Sequence, residues 1–218
     1  MNCGQRRAID FDPSYIPKSR RETGSLGWFW SGCANKAKWG LEISGIAVLD
    51  LDSHTALHLD VNQNLPLESE ILLEFHGCIF KDKKNELKKL AQVVVIERYF
   101  PKESFISQLT SCGIDIIYRF RDNVRLRYII KVKKTGKQGR TKINGETVDF
   151  TNMDMKHFRI EKEDEDILIY SALVHTVALN KIVKIANVQI LKVGKVALTK
   201  VYFSTNREIE AWEVLEIY

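Results

Sequence analysis

No run of apolar residues in this sequence approaches the roughly 20 needed to cross a bilayer as a helix, and no apolar segment of the signal-peptide kind follows Met1-Asn-Cys-Gly-Gln-Arg-Arg7. A cytosolic or nuclear compartment without membrane attachment is therefore expected. The four cysteines, Cys3, Cys33, Cys78 and Cys112, include no C-x-x-C pair. That spacing excludes a zinc ribbon and supplies no disulfide framework, so reduced thiols are expected. Internal repeats and low-complexity tracts are absent as well. The five histidines show no metal-ligand spacing apart from His54 and His58, which fall on a turn and a strand, and all five read as structural.

What is present is enough for a globular protein. At 218 residues and 44% hydrophobic content, the chain can bury one sizeable core or a core with an inserted subdomain. The net charge of +5 is a mild basic bias that suits a polyanionic partner.

Leu41–Asp50 and Thr55–Asp60 read as two strands of a hairpin turning at Leu51-Asp-Ser-His54. Ile71, Leu72, Phe75 and Ile79 then recur at helical spacing, interrupted by Gly77 and followed by a lysine-rich face from Lys81 to Lys89. Val93–Ile96 is a short β-branched run of the kind found in strands covered on both faces. Beyond it, Pro101 can open a helix with Phe105, Ile106, Leu109 and Cys112 on one side and Gly113 as its cap. Ile114–Phe120 returns as a strand.

After Arg121, strand-like runs at Leu126–Val132, Phe158–Glu161, Ile167–Val177, Ile182–Leu191 and Val196–Ser204 are separated by turn signals at Asn144-Gly145 and Gly194. Glu208–Tyr218 regains helical spacing. The expected class is α/β: a mixed sheet with flanking helices, interrupted by a β-rich subdomain.

Two acids stand at the ends of predicted buried strands: Asp12, in Asp12-Pro-Ser-Tyr-Ile-Pro-Lys18, and Glu97, after Val93-Val-Val-Ile96. An unpaired carboxylate there is costly, and two of them can hold a divalent cation between them. The local alternative for Asp12 is a turn-opening Asp-Pro. For Glu97 it is a strand-end charge paired with Arg98 or Lys102. Asp10, two residues before Asp12, shares its sheet face and is the nearest substitute.

Asp12-Pro-Ser-Tyr-Ile-Pro-Lys-Ser19, Phe29-Trp-Ser-Gly-Cys-Ala34, Lys38-Trp-Gly-Leu-Glu-Ile43, Tyr99-Phe-Pro-Lys102, Arg119-Phe-Arg-Asp122 and Tyr202-Phe-Ser-Thr205 together resemble the catalytic domain of bacterial DDE-type insertion-sequence transposases. The resemblance implies a ribonuclease-H-like core over residues 1–121, a β-rich insertion over 122–206, and the start of a C-terminal core helix over 207–218. It implies metal-dependent DNA cleavage and strand transfer at transposon ends, in a bacterial, nucleoid-associated protein. Asp12 and Glu97 would be the catalytic metal ligands for Mg2+ or Mn2+, of which the intact family uses two ions. Glu97 stands where that family usually has aspartate.

Tyr218 matches the tyrosine that precedes the family's third acid, so a chain truncated at both ends, with weak metal binding, is the expectation. The implied partners are transposon-end and target DNA, a second copy, or a full-length transposase. A catalytically inactive remnant acting as a DNA-binding or regulatory protein is the rival reading. An unrelated β-rich binding protein is the third, and parallel pairing of the Asp12 and Val93–Ile96 strands would argue against it.

For DNA contact the candidates are Lys18, Arg20 and Arg21 after the first acid, and a glycine-spaced basic loop with Lys131, Lys133, Lys134, Lys137, Arg140 and Lys142. The alternative for that loop is a solvated hairpin tip. Trp28, Trp30 and Trp39 are expected to pack the hairpin onto the sheet, with base stacking the other option. Glu161-Lys-Glu-Asp-Glu-Asp166 reads as a solvated turn.

Overall fold

The computed structural model describes residues 6–18, 22–65, 69–96, 102–121, 124–130 and 144–218. Its chain is mixed α/β, with mostly antiparallel strands and three α-helices among the described residues. None of those helices is long and apolar enough to cross a membrane. Two compact units form, one from Met1–Phe100 with Ser104–Ile114 and one from Pro101–Glu103 with Asp115–Tyr218.

The first unit is built on β1 (Arg7–Pro17), β2 (Gly27–Ser31), β3 (Lys36–Asp50), β4 (Thr55–Gln63) and β5 (Val93–Ile96), with α1 (Ser69–Leu90) and α2 (Glu103–Ser111). Long β3 pairs antiparallel with β1, β2 and β4, while β5 lies parallel to β1 with Ile9 opposite Val94 and Phe11 opposite Ile96. A parallel neighbour must be reached by a crossover, and α1 provides it.

Alternation along β1 sends Ile9 and Phe11 into the core, where both are fully buried. Phe11 meets Phe80 of α1 edge to face at 5.1 Å and lies 6.3 Å from Phe105 of α2. Buried Leu72, Leu73, His76, Ile79, Phe80 and Leu87 give α1 its apolar stripe, and Lys88 and Lys89 complement the negative end of its dipole. Gly77 leaves the space in that stripe that the Gln108 amide occupies, its Oε1 1.7 Å from where a Cβ would stand. Gly113 closes α2 in the left-handed conformation, φ 71°.

The second unit orders its strands as β6 (Asp115–Arg119), β12 (Lys195–Ser204), β11 (Lys181–Lys192), β10 (Ile167–Thr176), β7 (Leu126–Ile129) and β8 (Asn144–Thr147), with β9 (Arg159–Glu163) also on β10. Val193 and Gly194 both have positive φ, as a tight hairpin between β11 and β12 demands. Tyr118, Phe120 and Phe203 form an aromatic knot, with Phe120 and Phe203 stacked at 4.7 Å. Helix α3 (Ala211–Ile217) buries Ala211, Val214 and Ile217.

Four readings are corrected. Asp12 opens no turn but pairs with Gly45 inside β1. Asn144-Gly145 lies in strand β8, where Gly145 lets the backbone come close to Tyr128 O, 3.2 Å from where a Cβ would stand. Trp28, Trp30 and Trp39 are 69%, 54% and 45% exposed and do not pack into the core. Glu161 is not in a solvated turn: its side chain is 2% exposed, in β9, and pairs with Lys184 Nζ at 3.3 Å.

Candidate functional site

Because Ile9 and Phe11 point into the core, Asp10, Asp12 and Ser14 occupy the opposite face of β1. Ser14 Oγ donates to Asp12 Oδ2 at 3.1 Å. Burial first, and the charge of Asp12 second, push the Asp10 carboxyl above the ordinary aspartate range. The strand thus holds two acids on one face, and the half-buried one resists ionisation.

Across the sheet, Asp12 faces Gly45 of β3 and Asp10 faces Ala47. The imidazole of His58, carried by β4, lies over Gly45: a Cβ there would be 3.1 Å from His58 Cε1 and 3.7 Å from the Asp12 carbonyl oxygen. Gly45 therefore makes room for a histidine next to the strand that carries both acids.

Behind this face runs a buried polar network. Asn64 Nδ2 donates to Glu42 Oε2 at 2.8 Å, Ser44 Oγ donates to Asn64 Oδ1 at 2.8 Å, and His76 Nε2 stands 3.1 Å from both Ser44 Oγ and Asn64 Oδ1. Burial raises the Glu42 carboxyl, the Asn64 bond lowers it, and the charge of Asp12 raises it further. Burial also lowers His76 to about 4, so the ring is neutral at neutral pH. Asp12 is the charge felt by acids in front of the sheet and behind it.

Asp12 thus lies midway along β1, which continues to Pro17, and not at the strand end that the sequence suggested. Glu97 lies outside the described residues, as do Arg20, Arg21, Lys131, Lys133, Lys134, Lys137, Arg140 and Lys142. Lys18 is exposed and follows directly on β1. No group of three or more His, Cys, Asp or Glu side chains among the described residues is arranged to hold a metal ion. The donors present on β1, the hard carboxylate oxygens of Asp10 and Asp12 on one face, are of the type that suits magnesium or manganese. Sequence reasoning passed over Glu42 and read His58 as structural. Glu42 sits in an otherwise apolar strand pattern, a usable signal, whereas His58 depends on the β3–β4 register and a bulge after Ile46.

No protein family and no curated protein matches the chain. Solved structures of similar outline include Ciona intestinalis endonuclease V bound to a 23mer DNA with an inosine followed by a ribo-adenosine, at 12% identity and TM-score 0.37, covering 94% of this chain and 72% of that one. A second complex of the same enzyme, with a 24mer, gives 14% identity and TM-score 0.35 over 92% and 71%. Human endonuclease V gives 11% and 0.34 over 94% and 71%. At this level the likeness carries no argument about chemistry.

These neighbours are endonuclease V enzymes and not transposases, which overturns the transposase assignment, its cleavage and transfer at transposon ends, and its regulatory-remnant variant. Several motif residues that carried the assignment have local structural work. Phe29 is buried, Tyr202 and Phe203 fill the second core, and Thr205 Oγ1 accepts from the Ile116 amide and donates to Asp115 at 2.9 Å each. Association with a full-length transposase falls with the assignment.

Proposed function

We propose that this chain is a divalent-metal-dependent phosphodiesterase acting on nucleic acid, DNA in the first instance, built on a ribonuclease-H-like unit. One observation carries the reading: β5 runs parallel to β1 in the register Phe11–Ile96, and in the sequence an acid follows each of these residues, Asp12 and Glu97. The meander of β1, β3 and β4, followed by a helix and a parallel β5 beside β1, supports the fold side of the proposal.

Asp12 and Glu97 would hold Mg2+ or Mn2+, with Asp10 as an auxiliary oxygen donor. When bound, such a cation neutralises charge on the phosphate and provides an activated water. The chain's own contribution is placement. Strand β1 is paired with β5 as far as Phe11 and with β3 through Asp12, which fixes the backbone there, and Ser14 Oγ donates to one of the Asp12 oxygens. The mutual repulsion of Asp10 and Asp12 favours a cation over an empty pair. Lys18 would meet the phosphate backbone without reading sequence.

The test is cleavage of labelled single-stranded and duplex DNA in Mg2+ or Mn2+. Wild type should cleave and stop on chelation, and Asp12→Asn should lose on the order of 100-fold or more in rate while keeping its fold, as expected when a metal-ligating group is removed. Cleavage that survives chelation, or that Asp12→Asn leaves intact, would refute the proposal.

A further inference from the structure

The first unit carries three tryptophans that its core does not use. Trp28 of β2 and Trp39 of β3 are cross-strand partners with rings 6.0 Å apart, edge to face, and Trp30 stands opposite Ala37. Alternation places all three on one face of the β2–β3 ribbon and buried Phe29 on the other. The same alternation continues along β3 through Leu41, Ile43 and Gly45, whose β1 partners are Ile16, Ser14 and Asp12. The tryptophans therefore share a sheet face with Asp10 and Asp12.

The ribbon is held firmly. The ring of Tyr15 fills the space over Gly40, 2.7 Å from where a Cβ would stand, and its hydroxyl donates to the Trp39 carbonyl at 2.7 Å. Three large indoles in water on a braced ribbon are a contiguous apolar patch of the kind that marks a binding surface. Lys36 and Lys38 pair with Ser31 and Phe29 and so alternate to the opposite face of the ribbon, which leaves Lys18 as the cation beside the indoles. Lys18 follows Pro17, the β1 partner of Gly40, next to Trp39.

Aromatic faces with a lysine beside them fit a polyanion with exposed π-surfaces, which is a single nucleic-acid strand; in a duplex those surfaces are already stacked. An anionic lipid surface fits less well, because it offers no ring faces for the indoles to stack on. We propose that Trp28, Trp30 and Trp39 form a stacking platform for unpaired bases, leading a single strand along the sheet toward Asp10 and Asp12. The direction of the strand rests on the phosphodiesterase reading, whereas the stacking itself does not.

The experiment uses the full chain in chelator, measuring anisotropy of a labelled thymidine oligomer, a duplex of equal length and vesicles containing phosphatidylglycerol as competitor. The expected result is oligomer binding that Trp28→Ala and Trp39→Ala each weaken roughly tenfold and that phenylalanine at the same positions largely restores, with little effect on the duplex. The side chains are exposed, so an unchanged circular dichroism spectrum and melting temperature should accompany the loss. No oligomer binding by wild type, alanine variants that bind like wild type, or a response confined to vesicles would overturn the platform. Binding is read without metal, so the two proposals separate: a protein that never cleaves but loses oligomer affinity on substitution keeps the platform, and one that cleaves with unaltered affinity loses it.

Discussion

At the residue scale, ionisable groups buried around β1 are the unusual feature. His76 is expected to ionise near 6.5 in the unfolded chain and about 4 in the folded one. The unfolded state thus binds the extra proton first, and stability rises with pH across that interval and is lost as pH falls through it. The shift corresponds to about 3 kcal/mol in total. Urea unfolding of wild type and His76→Gln at pH 7 and pH 4.5 should show wild type losing about 2 kcal/mol more than the variant. Parallel losses would mean that the ring does not sit neutral beside Ser44 and Asn64. The carboxyls of Asp10 and Glu42, shifted upward, act with the opposite sign but are present in both proteins.

At the element scale, most of the strands and helices were legible because their periodicities were strong. The Leu41–Asp50 hairpin, the helix through Phe75, Val93–Ile96, and the β10, β11 and β12 runs all fall within elements of the structure. What escaped reading was which face of a strand is buried. In Gly27-Trp-Phe-Trp-Ser31, Phe29 and the tryptophans must lie on opposite faces, and only tertiary packing decides that Phe29 goes inside.

Glu161 is a second case, since an acid run reads as solvated whatever one of its members does. Burial works against its charge, but bonds from Ser171, the Ala211 amide and Lys184 outweigh it and hold the carboxyl below the ordinary glutamate range. Because Glu210 makes no side-chain cap, Glu161 caps α3 from a neighbouring strand. Glu161→Ala should cost about 3 kcal/mol in chemical denaturation, since it strands the Lys184 ammonium, and Glu161→Leu with Lys184→Met should recover much of it. A loss of a few tenths of a kcal/mol would show that the pair is effectively solvated.

At the scale of the whole molecule, composition and pattern were enough for the α/β class and for a strand at Val93–Ile96, while its parallel place beside the first strand is known only from the structure. They did not yield a family. Short aromatic and turn motifs such as Tyr202-Phe-Ser-Thr205 serve core packing and strand-end hydrogen bonds in many folds, so their agreement with a transposase pattern did not identify one. The carboxylates on β1 carry the proposal instead: Asp10 and Asp12 lie on one face, the charge of Asp12 raises Asp10, and a bound cation would relieve that repulsion.

That claim is tested most directly by melting the protein at pH 7.5 with and without millimolar Mg2+ or Mn2+. Wild type should be stabilised, by about 1.4 kcal/mol at ten times the dissociation constant. Asp12→Asn should show no such gain, and Asp10→Asn should be more stable than wild type without metal, because the ionised Asp10 carboxyl opposes folding as pH rises through its raised range. An equal cation effect in wild type and Asp12→Asn, or none in wild type, would contradict the account.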